Sequence, residues 1–138
     1  MGTIVLISCV KSKLTYRARA KDLYISDLFC KSLTYAQSLH PEAIYILSAK
    51  YGLLDLEQVI DPYELTIRDM STVEQRAWAK RVSSTLRLKA DLQSDQFVLL
   101  AGMYYRKYLI PALANCVIPM EGLSFGEQLH WLKEHLHE

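Results

Sequence analysis

Thr3-Ile4-Val5-Leu6-Ile7-Ser8-Cys9-Val10-Lys11-Ser12-Lys13 opens as a continuous run rich in β-branched residues and ends in a loop of hydroxyls and lysines. An apolar run of that kind marks a strand buried on both faces, here over Thr3 to Cys9. The same succession recurs at Ala43-Ile44-Tyr45-Ile46-Leu47-Ser48, a second buried strand that leads into Ala49-Lys50-Tyr51-Gly52-Leu53-Leu54. In an open parallel sheet the carboxyl ends of the strands face one crevice, so these two polar ends converge although they are distant in sequence. Serine and lysine at both ends point to an anionic ligand.

Between the two strands, Ile25, Leu28, Phe29, Leu33 and Ala36 keep helical spacing, which predicts a helix over Asp22 to Leu39 that His40-Pro41 stops. A long connection, Ala49 to Met70, follows the second strand; connections of that length without regular structure are commonly functional. Ser71 and Glu74 form a capping box that opens a helix over Thr72 to Ala90, with Trp78, Val82 and Leu86 four apart on one face. Gln96 to Ala101 reads as a third strand, and Gly102 stands where it turns into a helix over Tyr104 to Ala114. Pro111 either kinks that helix or starts a second short one. Cys116 to Ile118 is a fourth strand, and Ser124 with Glu127 caps a last helix carrying Leu129, Leu132 and Leu136. Strands alternating with helices predict an α/β fold: one three-layer domain over residues 1–138 with a four-stranded, mostly parallel sheet.

With 138 residues, 51% of them hydrophobic, the chain is long enough for one real core. Sixteen basic against fifteen acidic residues leave a net charge of +1, so any nucleic-acid contact must rest on a local patch. Cys9, Cys30 and Cys116 have no close-spaced pairing; the odd count argues against a disulfide framework and fits a reducing cytoplasm. Ile4 to Ile7 is too short for a signal segment or a membrane span. His40, His130, His135 and His137 make no metal set, and neither a metal nor a cofactor is expected.

The expected site gathers at the strand ends. Ser8, Lys11, Lys13, Ser48 and Lys50 suit a phosphate or a base edge, although the glycines of a nucleotide-binding loop are missing. Cys9 reads as a packed small hydrophobe rather than a nucleophile, because no histidine stands in the motif to activate it. Gly52 permits positive φ or close approach to a ligand, and Gly102 marks the third strand end. Tyr24, Tyr51, Tyr63 and Tyr104 offer stacking faces, with Thr66 beside Tyr63 in the long loop, and Tyr105 an alternative to Tyr104. Asp61-Pro62 is equally a turn opener, and carboxylates of that loop could polarise water. Asp22 and Glu121 are the carboxylates expected to orient water, with an N-cap role for Asp22 and a plain turn for Glu121 as the alternatives. Leu129, Leu132 and Leu136 serve either the core or a subunit contact.

Ile-Ser-Cys-Val-Lys-Ser-Lys (7 to 13), Ala-Lys-Asp-Leu-Tyr-Ile-Ser (20 to 26), Leu-Ser-Ala-Lys-Tyr-Gly-Leu-Leu (47 to 54) and Pro-Tyr-Glu-Leu-Thr (62 to 66) resemble the ordered motifs of a bacterial and phage domain family of unknown function. That family is distantly similar to YaaA-like peroxide-stress proteins and to uracil-DNA glycosylase-like domains. The resemblance implies a four-stranded parallel sheet with a base pocket at the strand ends. It also implies a protein acting on nucleobases in DNA or nucleotides, as an N-glycosidase or other base-modifying enzyme. The Gly-Gln-Asp-Pro-Tyr run usual in glycosylases is replaced here by Ser-Cys-Val-Lys-Ser-Lys, and no His-Pro-Ser motif follows the last strand. Asp61-Pro62-Tyr63 matches three of those letters after a different strand, so no catalytic role passes to Asp61. The rival expectation is a non-catalytic module for stress or defence that binds nucleic acid or nucleotide in the same crevice.

Overall fold

The computed structural model describes residues 2–136; His137 lies outside them. In chain order the elements are β1 (Thr3–Ser8), β2 (Ala18–Arg19), α1 (Ala20–Leu23), α2 (Asp27–Ser38), β3 (Ala43–Ser48), β4 (Gly52–Asp55), β5 (Val59–Ile60), a 3-10 turn (Ile67–Asp69), α3 (Thr72–Arg87), β6 (Gln96–Leu100), α4 (Met103–Arg106), a second 3-10 turn (Ile110–Ala112), β7 (Cys116–Val117) and α5 (Phe125–His135).

The main sheet has the order β4-β3-β1-β6-β7. β1 runs parallel to β3 and to β6, β6 parallel to β7, and β4 antiparallel to β3. The expected four strands are therefore joined by a fifth. β4 forms because three residues suffice to turn the chain back after Ser48: Tyr51 N–H donates to Ser48 Oγ at 3.0 Å, and Gly52 takes φ 75°. A positive φ of that kind favours glycine. A second small sheet pairs β2 with β5 and ties the loop after β1 to the loop after β4. The long connection thus carries regular structure of its own.

Ile4, Val5, Leu6 and Ile7 are all fully buried, as a central strand covered on both faces requires. From β1 the chain moves one way to β3 and then back across β1 to β6, so right-handed crossovers put α2 and α3 on opposite faces. α2 packs beside α5 and β1, while Trp78 of α3 meets the ring of Tyr105 beyond β6. The three-layer α/β arrangement follows. Both capping boxes form as read, Ser71 with Glu74 and Ser124 with Glu127.

Two helices differ from expectation. The stretch over Asp22 to Leu39 is divided: α1 is a single turn, and α2 starts afresh where Ser26 Oγ accepts the N–H of Phe29. A cap with a free hydroxyl competes well against continuing the earlier turn. Asp22 caps neither helix, since Arg19 and Ser26 hold the N-cap positions. Likewise Tyr104 to Ala114 is α4 followed by a 3-10 turn with Pro111 near its start, because proline lacks the N–H that would continue an α-helix. Of the leucine stripe on α5, Leu132 is fully buried while Leu129 and Leu136 are half-buried.

Candidate functional site

The chain leaves β1 and β6 in opposite directions, which makes the gap between their carboxyl ends the topological switch point of the sheet. Two cavities meet there. One, about 510 Å³, is walled by Cys9, Lys11, Lys13, Tyr63, Arg68 and Tyr105, with Glu64, Thr66 and Asp69 on the same wall. The other, about 250 Å³, runs under Ser8, Ala101, Gly102, Phe125 and Gln128. Cys9, Val10 and Tyr105 border both, so they form one crevice with a waist at Cys9.

The walls are built by hydrogen bonds between distant loops. Cys9 N–H extends the β1 ladder to Leu47 O at 2.9 Å, which sets Cys9 beside Ser48. Ser48 Oγ donates to Tyr63 Oη at 2.7 Å, and the hydroxyls of Tyr63 and Tyr24 lie 2.6 Å apart. Trp78 Nε1 donates to Ser48 O at 2.8 Å and so pins α3 to the same strand end. On the other side the Cys9 thiol and the Tyr105 hydroxyl are 2.9 Å apart. Since Ser48 spends its proton on Tyr63 and the two phenols share one bond, one phenol proton is left over for a further acceptor.

Burial, and after it the neighbouring Cys9, pushes the phenols of Tyr24, Tyr63 and Tyr105 well above their ordinary range. They stay neutral donors at any physiological pH. Lys13 lies 4.5 Å from the Tyr63 ring centroid and 5.8 Å from that of Tyr24. Its ammonium is pushed below the usual lysine range by burial, against the opposing pull of Cys9 and Glu64.

The model of a family described as of unknown function, DUF6884, matches residues 4–134. The chain belongs to that family. Among curated proteins none matches it.

The expected site residues of this DUF6884 chain divide into three groups. Lys11, Lys13, Tyr63 and Thr66 line the larger cavity, and Ser8 and Gly102 the smaller. Gly102 has φ −67°, so its place owes nothing to glycine's conformational freedom. Behind that wall, Tyr24 and Ser48 are buried and act by holding Tyr63. Outside it, Lys50 is exposed over the Tyr51 ring at 5.3 Å, and that ring packs edge-on to Tyr63 at 5.5 Å. Tyr51 Oη donates to Asp61 O, and Gly52 turns the chain into β4. Tyr104 is exposed and lies beside Arg68 rather than in the cavity.

Asp22 and Glu121 lie elsewhere. Neither lines the crevice: in the single turn of α1, Leu23 and Tyr24 take the buried positions and leave Asp22 outside, and Met120 does the same to Glu121 in the turn before α5. The carboxylates on the wall are Glu64 and Asp69. Arg68 and Asp69 belong to a 3-10 turn that no periodicity in the sequence announces. The sequence offers Tyr105 as a stacking face beside Tyr104, and it lies half-buried on the crevice wall. Among the described residues no group of three His, Cys, Asp or Glu side chains is placed to hold a metal ion. None of the described helices is long and apolar enough to cross a membrane.

Proposed function

We propose that this chain acts on a nucleobase-bearing, phosphate-carrying ligand, DNA or a nucleotide, as an N-glycosidase. The observation that carries the reading is one crevice at the switch point whose wall holds three cations (Lys11, Lys13, Arg68), two protonated phenols and two carboxylates, Glu64 and Asp69. A volume of about 510 Å³ suits one nucleotide. The cations meet phosphate, Tyr63 and Tyr105 meet the base, and Thr66 lends a hydroxyl.

In such a reaction the C1′–N bond breaks, its electron pair leaves with the base, and water supplies the oxygen that replaces it. Glu64 takes the role first expected of Asp22 and Glu121: it orients the water, accepts its proton and faces the developing positive charge. A phenol held neutral by burial donates to the base as negative charge grows there. The uracil-DNA glycosylase-like arrangement is part of the same proposal, supported by four parallel strands, helices on both faces and a crevice at the strand ends; β4 is then an addition. The three free cysteines suit a reducing, cytoplasmic setting.

A second reading, a binding module without chemistry, is favoured by the exposure of Glu64 and Asp69, because an acid-base carboxylate works best in a dry site. Incubation with modified and unmodified DNA and with free nucleosides, followed by mass detection of released base, separates the two. Base release that falls about 100-fold or more in Glu64→Gln is expected of the enzyme. Binding that persists with no base released from any of these substrates leaves only the binding module.

A further inference from the structure

The crevice has room for little more than one nucleotide, so the surface at its mouth decides whether a longer strand can follow. Arg68 leaves the crevice wall and sets its guanidinium 5.3 Å from the Tyr104 ring centroid. Tyr108 comes one turn after Tyr104, and its ring is flanked by Arg76 at 5.2 Å and Lys107 at 5.3 Å. Arg68, Arg76, Lys107 and Tyr104 are all exposed. A cation therefore meets a ring at each of these three contacts.

On the described surface four cations answer carboxylates: Arg19 and Lys21 pair with Glu57, Lys31 with Asp27, and Lys89 with Asp55. Among the described residues Arg68, Arg76 and Lys107 have no carboxylate within ion-pair distance, and rings are their neighbours instead. The nearby acids are Glu64 and Asp69 on the crevice wall and Glu74 on α3, the last held by its own N-cap at Ser71. Uncompensated cations beside the exposed ring of Tyr104 and the half-buried ring of Tyr108 match the repeating phosphate and base of a single strand, which offers both a charge and a free π-face at every step. A duplex hides those faces within its stack.

We infer that the ligand of the crevice is a single-stranded nucleic acid, with one nucleotide inside and its neighbours laid along Arg68, Tyr104, Tyr108, Arg76 and Lys107. The inference rests on the reading of the crevice as a nucleotide site. The strand's phosphates meet Arg76 and Lys107, and its bases stack on Tyr104 and on the guanidinium planes.

Fluorescence anisotropy with a labelled mixed-sequence decamer, in DNA and in RNA form, tests it against the matching duplex and against competition by mononucleotides. The single strand is expected to bind at least ten-fold more tightly than either. An Arg76→Ala, Lys107→Ala double variant should lose at least ten-fold for the decamer and reduce its salt slope by about 1.4, two single-strand phosphate contacts, with mononucleotide affinity unchanged. Tyr104→Ala should cost the decamer about five-fold or more without changing the salt slope. Circular dichroism and thermal melting establish that each variant is folded. Equal affinity for decamer and mononucleotide, equal affinity for duplex, or a double variant that binds the decamer as well as the parent overturns the single-strand band and leaves the crevice reading standing. Failure of every nucleotide, short or long, to bind overturns both.

Discussion

Ser48 and Tyr63 are fifteen residues apart, and their hydroxyls hold the crevice wall in place. Ser48 Oγ accepts from Tyr51 N–H and donates to Tyr63, which in turn meets Tyr24. Removing the Tyr63 hydroxyl leaves two buried groups short of a partner, so Tyr63→Phe should destabilise the fold by about 1–3 kcal/mol in urea unfolding. Ser48→Ala should cost a similar amount. Because both remove the same bond, the double variant should cost clearly less than the sum, with a coupling of at least about 0.5 kcal/mol. Strict additivity would show that the hydroxyl chain does not act as a unit. The sequence placed Ser48 at a strand end and Tyr63 in the long loop but not in one bond, since a hydrogen bond between two distant segments leaves no periodicity to read. Cys9 is buried among these same phenols; its expected hydrophobic packing holds, and its 2.9 Å contact with Tyr105 adds a polar partner that the motif alone does not reveal.

The elements were most legible where a local chemical signal marked them. Capping hydroxyls at Ser71 and Ser124 announced α3 and α5, and unbroken apolar runs announced β1, β3 and β6. Illegible were the pieces made by tertiary pairing, β2 with β5, β4 against β3, and the 3-10 turn that delivers Arg68. Their two to four residues carry too little pattern to stand alone, and each forms because a partner strand or loop is already in place. α3 is the element on which the site leans, through Trp78, and its start depends on Ser71. Ser71→Ala should therefore lower stability by about 0.5–2 kcal/mol, measured by thermal melting. α2 ends in the opposite condition: His40 sits at φ 50°, a left-handed position that suits glycine, and Pro41 follows. His40→Gly relieves that strain at the cost of a more flexible unfolded chain, and a net gain of about 0.5 kcal/mol is expected. A loss in that variant would mean the imidazole makes a compensating contact.

At the scale of the whole molecule the strand ends impose a pH dependence that a plain core would not have. Tyr24, Tyr63 and Tyr105 all have phenols pushed above the ordinary tyrosine range, first by burial. Their contribution to stability is complete below the unfolded-state value near pH 10 and is lost as pH climbs toward the higher folded values, because the unfolded chain then releases protons that the folded one keeps. Each phenol adds a slope of up to about 1.4 kcal/mol per pH unit in that window. Lys13 acts with the opposite sign. Its ammonium is depressed in the folded state, so stability rises as pH passes from its folded value toward that of a free lysine. Urea unfolding between pH 8 and about pH 11.5 should then show a shallow rise followed by a steep fall. Lys13→Met should remove the rise, and Tyr105→Phe should make the fall shallower by about one proton's worth. A Tyr105→Phe variant whose alkaline fall is as steep as the parent's would refute the account of the crevice as a buried cluster of neutral phenols.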